Sequence, residues 1–199
     1  MIVLVSMRSA DSSTYHEARD GISHDWSRLF SDYGITPILI PNTAADVAPY
    51  FELRPAGLLL TGGDDLGPPD APTSRDVTEE KLLTQALAGN LPIFGVCRGL
   101  HVINRHFGGR IERRLPEPHV GNHAVTLTTG ESILTNSFHN EGVLTDGVAP
   151  SLSIFAATPG GVVEGVRHRE LPVTAVQWHP ERPNPAAELD RELIKEWLA

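Results

Sequence analysis

Four short stretches of unbroken apolar residues punctuate the first half of the chain: IVLV at 2–5, PILI at 37–40, GLLLT at 57–61 and LPIFGV at 91–96. A strand without polar alternation has to be covered on both faces. Segments with helical spacing separate these runs. Across residues 14–33, Ile22, Trp26, Leu29 and Phe30 recur at steps of three and four and stop at Gly34. Across residues 76–89, Leu82, Leu83, Ala86 and Leu87 follow an Asp76-Val77-Thr78-Glu79 opening that reads as a capping box, and the pattern stops at Gly89. Strands alternating with helices predict a parallel sheet layered between helices.

After Phe107-Gly108-Gly109 the texture changes. Residues 123–130, 152–158, 161–168 and 172–178 are strand-like and separated by turn residues, without clear helices between them. This half is expected to add antiparallel strands and one more central strand. A last helix over about 186–198 presents Leu189, Leu193, Ile194 and Trp197 on one face. The 199 residues can bury one core unaided. Residues 1–199 are therefore read as a single α/β domain of flavodoxin-like type, its mostly parallel sheet flanked by helices and extended by antiparallel strands.

Charge narrows the partners. With 16 Lys and Arg against 25 Asp and Glu, the formal net charge is −9. Nucleic acid and anionic membranes would be repelled over most of such a surface. A small anion in a local cationic pocket would not be. One cysteine permits no intramolecular disulfide, and the N-terminal apolar run is too short for a signal peptide or a membrane span. A cytoplasmic protein is expected, with self-association left open.

The lone thiol sits where chemistry is expected. Gly95-Val96-Cys97-Arg98-Gly99 follows an apolar strand and opens an apolar-periodic segment. That is the layout of a nucleophile elbow, in which a sharp strand-to-helix turn leaves no space beside the nucleophile for bulk. The turn also puts the sulfur at a helix N-terminus, where unpaired N–H groups favour a thiolate and can hold an oxyanion. A free cysteine is more commonly a small core residue. The flanking glycines and the C-terminal edge of a strand favour the nucleophile instead.

A thiol nucleophile needs a base. Among nine histidines, His179 ends a strand-like run, and Glu181 lies two residues on, on the same side of extended backbone, where it can orient the ring. Another strand ends in Gly62-Gly63. The N–H of Gly63, with that of Arg98, would complete an oxyanion hole.

GVCRG, QWHPE and TGGDD, in this order and spacing, resemble the class I glutamine amidotransferase superfamily, in particular its free-standing γ-glutamyl hydrolase branch. The resemblance spans nearly the whole chain. It implies Cys97 as nucleophile, His179 as base and acid, Glu181 as orienter, and oxyanion donors at Gly63 and Arg98. It also implies Gly62 and His101 at the glutamyl subsite, and attack on a γ-glutamyl carbonyl to give a thioester that water cleaves. One position departs from the pattern: many amidotransferases carry Gln where this chain has His101, which tells against ordinary glutaminase activity.

TNSFHNEGV at 135–143 resembles the segment with which the hydrolase branch holds the glutamyl α-groups, implying Ser137 and His139. Residues 6–26, GGDDLG, the Arg75-Asp76 pair, HVGNH and NSFHN together most resemble the γ-glutamyl-CDP-amidate hydrolases of capsule phosphoramidate biosynthesis. A nucleotide-linked substrate would call for cations, and Arg8, Arg19 and Arg75 are the candidates. Residues 64–75, rich in Pro, Asp and Gly, are the candidate for a loop over the site.

Two rival readings are weaker. His119 and His123 stand four apart, but Gly121 and the preceding Pro-Glu-Pro argue against a helix there, and no HExxH or Cys cluster appears. No metal and no cofactor are expected. A docking subunit without catalysis would have no need of the Cys, His and Glu set. Without a synthetase region in these residues, ammonia transfer would require a separate partner.

Overall fold

In the computed structural model, which describes residues 1–11, 17–115 and 119–199, each of the four apolar runs is a strand. They are β1 (Ile2–Ser6), β4 (Thr36–Ile40), β5 (Gly57–Leu60) and β6 (Ile93–Val96). A hairpin of β2 (Arg8–Asp11) and β3 (Ala18–Gly21) and helix α1 (His24–Asp32) intervene between β1 and β4. The short α2 (Ala48–Phe51) precedes β5, α3 (Ser74–Ala88) precedes β6, and α4 (Arg98–His106) follows it. The second half supplies β7 (His119–Val120), β8 (His123–Leu127), β9 (Ser132–Thr135), β10 (Phe138–His139), β11 (Leu152–Ala157), β12 (Val163–His168), β13 (Val173–Val176) and α5 (Ala187–Trp197).

Nine strands form one sheet in the order β4-β1-β5-β6-β13-β12-β11-β8-β9. The first five pair in parallel. Taken by their order in the chain they run 2-1-3-4-5, the flavodoxin-like arrangement that binds ligands beyond the carboxyl ends of the strands. From β13 outward every pairing is antiparallel. The expected extra central strand is β13, inserted beside β6 with Val176 level with Val96.

Strand alternation explains why the runs are apolar throughout. Leu4, Leu58, Leu60 and Ile93 point into one core, shared with Leu82, Leu83, Leu100 and Ile103 of α3 and α4. Val3, Val5, Leu59, Phe94 and Val96 point into the other, shared with Trp26, Leu29 and Phe30 of α1 and with Leu193 and Trp197 of α5. Each such side chain contributes roughly 1.5–3 kcal/mol when fully buried. Polar substitution on either face of these strands would therefore be costly.

Two local expectations are corrected. The helix expected across 14–33 starts only at His24; residues up to Gly21 pair as the β2–β3 hairpin, and 14–16 lie outside the described residues. The apolar period itself begins at Ile22, so nothing upstream offers a helix a face to bury. The cap of α3 is Thr73: its hydroxyl accepts from the Asp76 N–H while the Asp76 carboxylate accepts from the Thr73 N–H, so Asp76 closes the capping box from inside the helix. Among the described residues, no helix is long and apolar enough to cross a membrane.

Candidate active site

The β6–α4 turn forces Cys97 into a backbone that non-glycine residues avoid, φ 53° and ψ −106°. Strain of this kind costs on the order of 1–3 kcal/mol and persists only where the surroundings impose it. Here the Cys97 N–H donates to the Val176 carbonyl (2.8 Å) and its carbonyl accepts from Leu100 N–H (2.9 Å). The flanking glycines are set by contact. A Cβ at Gly99 would lie 2.3 Å from the Leu60 carbonyl oxygen, and one at Gly95 would lie 2.9 Å from the Gly99 carbonyl.

Beyond β13 the chain bends at 177–178 and turns at 180–181, where the Arg182 N–H donates to the His179 carbonyl (3.2 Å), so a turn and not the expected extended backbone brings Glu181 to the His179 ring. His179 Nδ1 and Glu181 Oε1 are 2.7 Å apart, and the ring and the Cys97 side chain meet over Gly62 and line one cavity. Burial works against a charged ring, but the interactions with Cys97 and Glu181 and the carboxylate's charge outweigh it and raise the His179 pKa to about 9. Asn136 holds the His179 backbone from both sides: its Oδ1 accepts from the N–H and its Nδ2 donates to the carbonyl, each at 2.8 Å. Trp178, between Gln177 and His179, is fully buried and donates to Asp190 of α5 at 2.7 Å.

Gly62 closes this arrangement. A Cβ there would stand 2.9 Å from His179 Cε1 and 3.3 Å from Cys97 Cβ, so the β5 loop packs directly over the thiol–imidazole pair. Gly63 follows with φ +88°. The next layer is a residue the sequence reading passed over. Gln177 Nε2 lies 3.7 Å from Cys97 Sγ, and its Oε1 accepts from His101 Nε2 at 2.9 Å. Burial, followed by the neighbouring His139, pushes the His101 pKa down to about 3, so the ring is neutral. Gln177 was legible only as the polar residue at the end of the strand-like run, two before His179.

Arg75 does not reach toward substrate. It is almost wholly buried, and its guanidinium donates to the carbonyls of Thr61 (2.7 Å), Gly62 (3.2 Å) and Gly63 (2.9 Å), to Asp64 (3.0 Å) and to Glu79 (2.9 Å). Its donors are consumed in shaping the loop that carries Gly63. Glu79 uses its other oxygen on Arg98, which also pairs with Asp76 at 2.8 Å. One buried carboxylate on α3 thus bridges the two segments whose N–H groups would receive an oxyanion.

A cavity of about 400 Å³ opens over the sulfur, within the usual range for small-molecule sites. Arg8 stands at its mouth, half exposed and 3.6 Å from Asp64. Arg113 and Arg182 also line it, Arg182 lying 4.5 Å over the Phe138 ring. Neither was singled out from the sequence. Among the described residues lining the cavity, Arg19 and Arg75 do not appear, and Arg19 pairs with Glu17.

Ser137 and His139 occupy the cavity's flank in a way the resemblance did not imply. The Ser137 hydroxyl donates to the His119 carbonyl (2.7 Å), and His139 donates from Nδ1 to the Glu141 carbonyl (2.9 Å) with Nε2 turned toward Glu164. Both shape the β7–β10 ribbon. In the loop at 64–75, Arg113 donates to the carbonyls of Leu66 and Gly67 and Asp76 accepts from the Gly67 N–H, while residues 68–74 are exposed. His119, His123 and Glu164 form a separate group with ligand atoms within 4.8 Å of one another.

Comparison with known proteins agrees with this architecture. A family model described as Peptidase C26 matches residues 1–181. A gamma-glutamyl-CDP-amidate hydrolase of Campylobacter jejuni is 27% identical, over 100% of this chain and 98% of its own length. The carbamoyl phosphate synthase small chain of Symbiobacterium thermophilum is 36% identical, over 90% of this chain and 48% of its own length. A solved glutamine amidotransferase from Thermotoga maritima shares the fold with a TM-score of 0.71 at 12% identity, covering 99% of this chain and 80% of that one.

Proposed function

The chain belongs to the peptidase C26 family, and from that premise we propose that it hydrolyses γ-glutamyl amide bonds through a thioester on Cys97. The observation that carries the reading is Cys97 and His179 lining one preformed cavity, with Glu181 hydrogen-bonded to the His179 ring. The Cys97 sulfur attacks the γ-carbonyl carbon, and the C–O π electrons move to an oxygen held by the N–H groups of Gly63 and Arg98. Collapse breaks the C–N bond as the His179 proton passes to the leaving nitrogen. A water then gives its proton to His179 and attacks the thioester, releasing glutamate and returning the thiol. Glu181 keeps the ring oriented and supports its positive charge.

For the leaving group we propose a nucleotide-linked amidate, γ-glutamyl-CDP-amidate, cleaved to glutamate and cytidine diphosphoramidate. The end-to-end likeness to the Campylobacter jejuni hydrolase supports this, as do the cations of Arg8, Arg113 and Arg182 lining the cavity of an otherwise acidic protein. A second reading, a glutaminase subunit serving a synthetase, draws on the likeness to a carbamoyl phosphate synthase small chain. His101, buried and held by Gln177, stands against it, since the resemblance expects Gln there.

Glutamate release by the purified protein should be measured with γ-glutamyl-CDP-amidate, γ-glutamyl peptides and polyamine conjugates, and glutamine, with Cys97→Ala as control. The expected result is CDP-amidate turnover well above the others, lost by about 10⁴-fold or more in the variant. Equal turnover of glutamine or γ-glutamyl peptides would remove the nucleotide assignment. Activity surviving in Cys97→Ala would remove the thioester.

A further inference from the structure

Beside the cavity, three histidine rings surround one buried carboxylate that the reaction above does not use. Glu164, on β12, is fully buried, and neither of its oxygens has a hydrogen-bond partner. His123 Nε2 and His139 Nε2 each stand 3.4 Å from Glu164 Oε1 and His119 Nδ1 stands 4.0 Å from the same atom, while the Nδ1 atoms of His119 and His123 are 3.2 Å apart. Among the described residues no Lys or Arg pairs with Glu164. A buried carboxylate faced only by imidazoles, with no permanent cation, is costly, and folds that keep one usually place a cation against it.

We infer that His119, His123 and Glu164, whose ligand atoms lie within 4.8 Å of one another, form a divalent-metal site, best suited to zinc, that fixes one wall of the cavity to the central sheet. Three arguments converge. Tetrahedral zinc with metal–ligand bonds of about 2.0–2.1 Å separates its ligand atoms by roughly 3.4 Å, the spacing found from Oε1 to His123 Nε2. Beside this set, the His139 Nδ1–H is held by the Glu141 carbonyl, which leaves its Nε2 facing Glu164 Oε1 at 3.4 Å and fixes the carboxylate from the cavity side. A single proton could bridge one ring to Glu164, but not three rings at once.

Two imidazoles and one carboxylate are the nitrogen and oxygen donors that zinc takes. The ion would join the β7–β10 ribbon to β12. That ribbon carries Phe138, whose ring meets the His179 ring edge-on at 5.6 Å. His139 is then a support of the cavity wall, and its Nε2 is unavailable to a glutamyl group.

The test uses the full chain. Metal content of the purified protein is measured by mass spectrometry, and the chelated protein is titrated with Zn²⁺ and with Co²⁺. About one equivalent should bind per chain, with the visible absorption of tetrahedral Co²⁺, no sulfur-to-metal charge-transfer band, and undiminished binding in Cys97→Ser. Binding should weaken by about 100-fold or more in Glu164→Gln and in His123→Ala. His123 is partly exposed, so its variant keeps the test decisive if Glu164→Gln does not fold. Failure of the wild-type chain to bind either ion stoichiometrically would overturn the site. So would binding unchanged in the variants, or a charge-transfer band lost in Cys97→Ser, which would put the metal on the thiol.

Discussion

Cys97 and His179 meet because two neighbouring parallel strands end level with each other, so the first residue past one and the third past the other share a rim. The raised His179 pKa then has a direction in pH. A histidine whose folded pKa lies near 9, above its ordinary 6.5, contributes stability fully present below about pH 6.5 and lost as pH rises through about 9. In the proposed reaction the same proton goes to the leaving nitrogen, so kcat should fall on its alkaline side through about pH 9. In Glu181→Gln the carboxylate's support is gone. That limb should move to lower pH and kcat/KM should drop by about 10²–10⁴-fold, readable from pH–rate profiles of the two proteins. An alkaline limb that stays in place would mean Glu181 does not support the ring's charge.

At the scale of elements, α3 does more than cover the sheet. Arg75 and Glu79 stand one turn apart on it, so one guanidinium gathers three successive loop carbonyls while the carboxylate ties that guanidinium to Arg98 at the start of α4. The spacing of Gly62-Gly63 from the elbow therefore depends on a helix that contributes no group to the chemistry. Glu79→Gln leaves two buried guanidiniums short of a counter-charge and should lower stability by about 3–5 kcal/mol. Because the oxyanion donors lose their mutual register, kcat should fall more than KM rises. Thermal unfolding and steady-state kinetics on one preparation would check both. A stability loss with kcat untouched would leave the network a purely structural role.

Across the whole molecule, one sheet runs through both halves, and Trp26, Trp178 and Trp197 all lie in the same core beside it. Unfolding should therefore follow a single transition, with tryptophan fluorescence and far-ultraviolet circular dichroism sharing one midpoint; separate midpoints would mean that the antiparallel strands unfold apart from the parallel ones. Much of this was legible in order along the chain. Unbroken apolar runs specify strands covered on both faces, and glycines at 95 and 99 specify a turn with no space for a Cβ, because these are constraints between near neighbours. Other features depend on which distant segments share a rim. Arg75 reads as a free cation until the fold wraps it in the Thr61–Gly63 carbonyls, and His119 and His123 read as unrelated because helical spacing was the only local route to bringing them together. Their rings meet instead around the turn at Gly121 and over a glutamate forty-one positions beyond His123. By itself the sequence determined the layers, the elbow and the candidate nucleophile with its base. Tertiary structure alone decided which charges are spent inside, because burial and pairing arise from contacts between residues far apart in the chain.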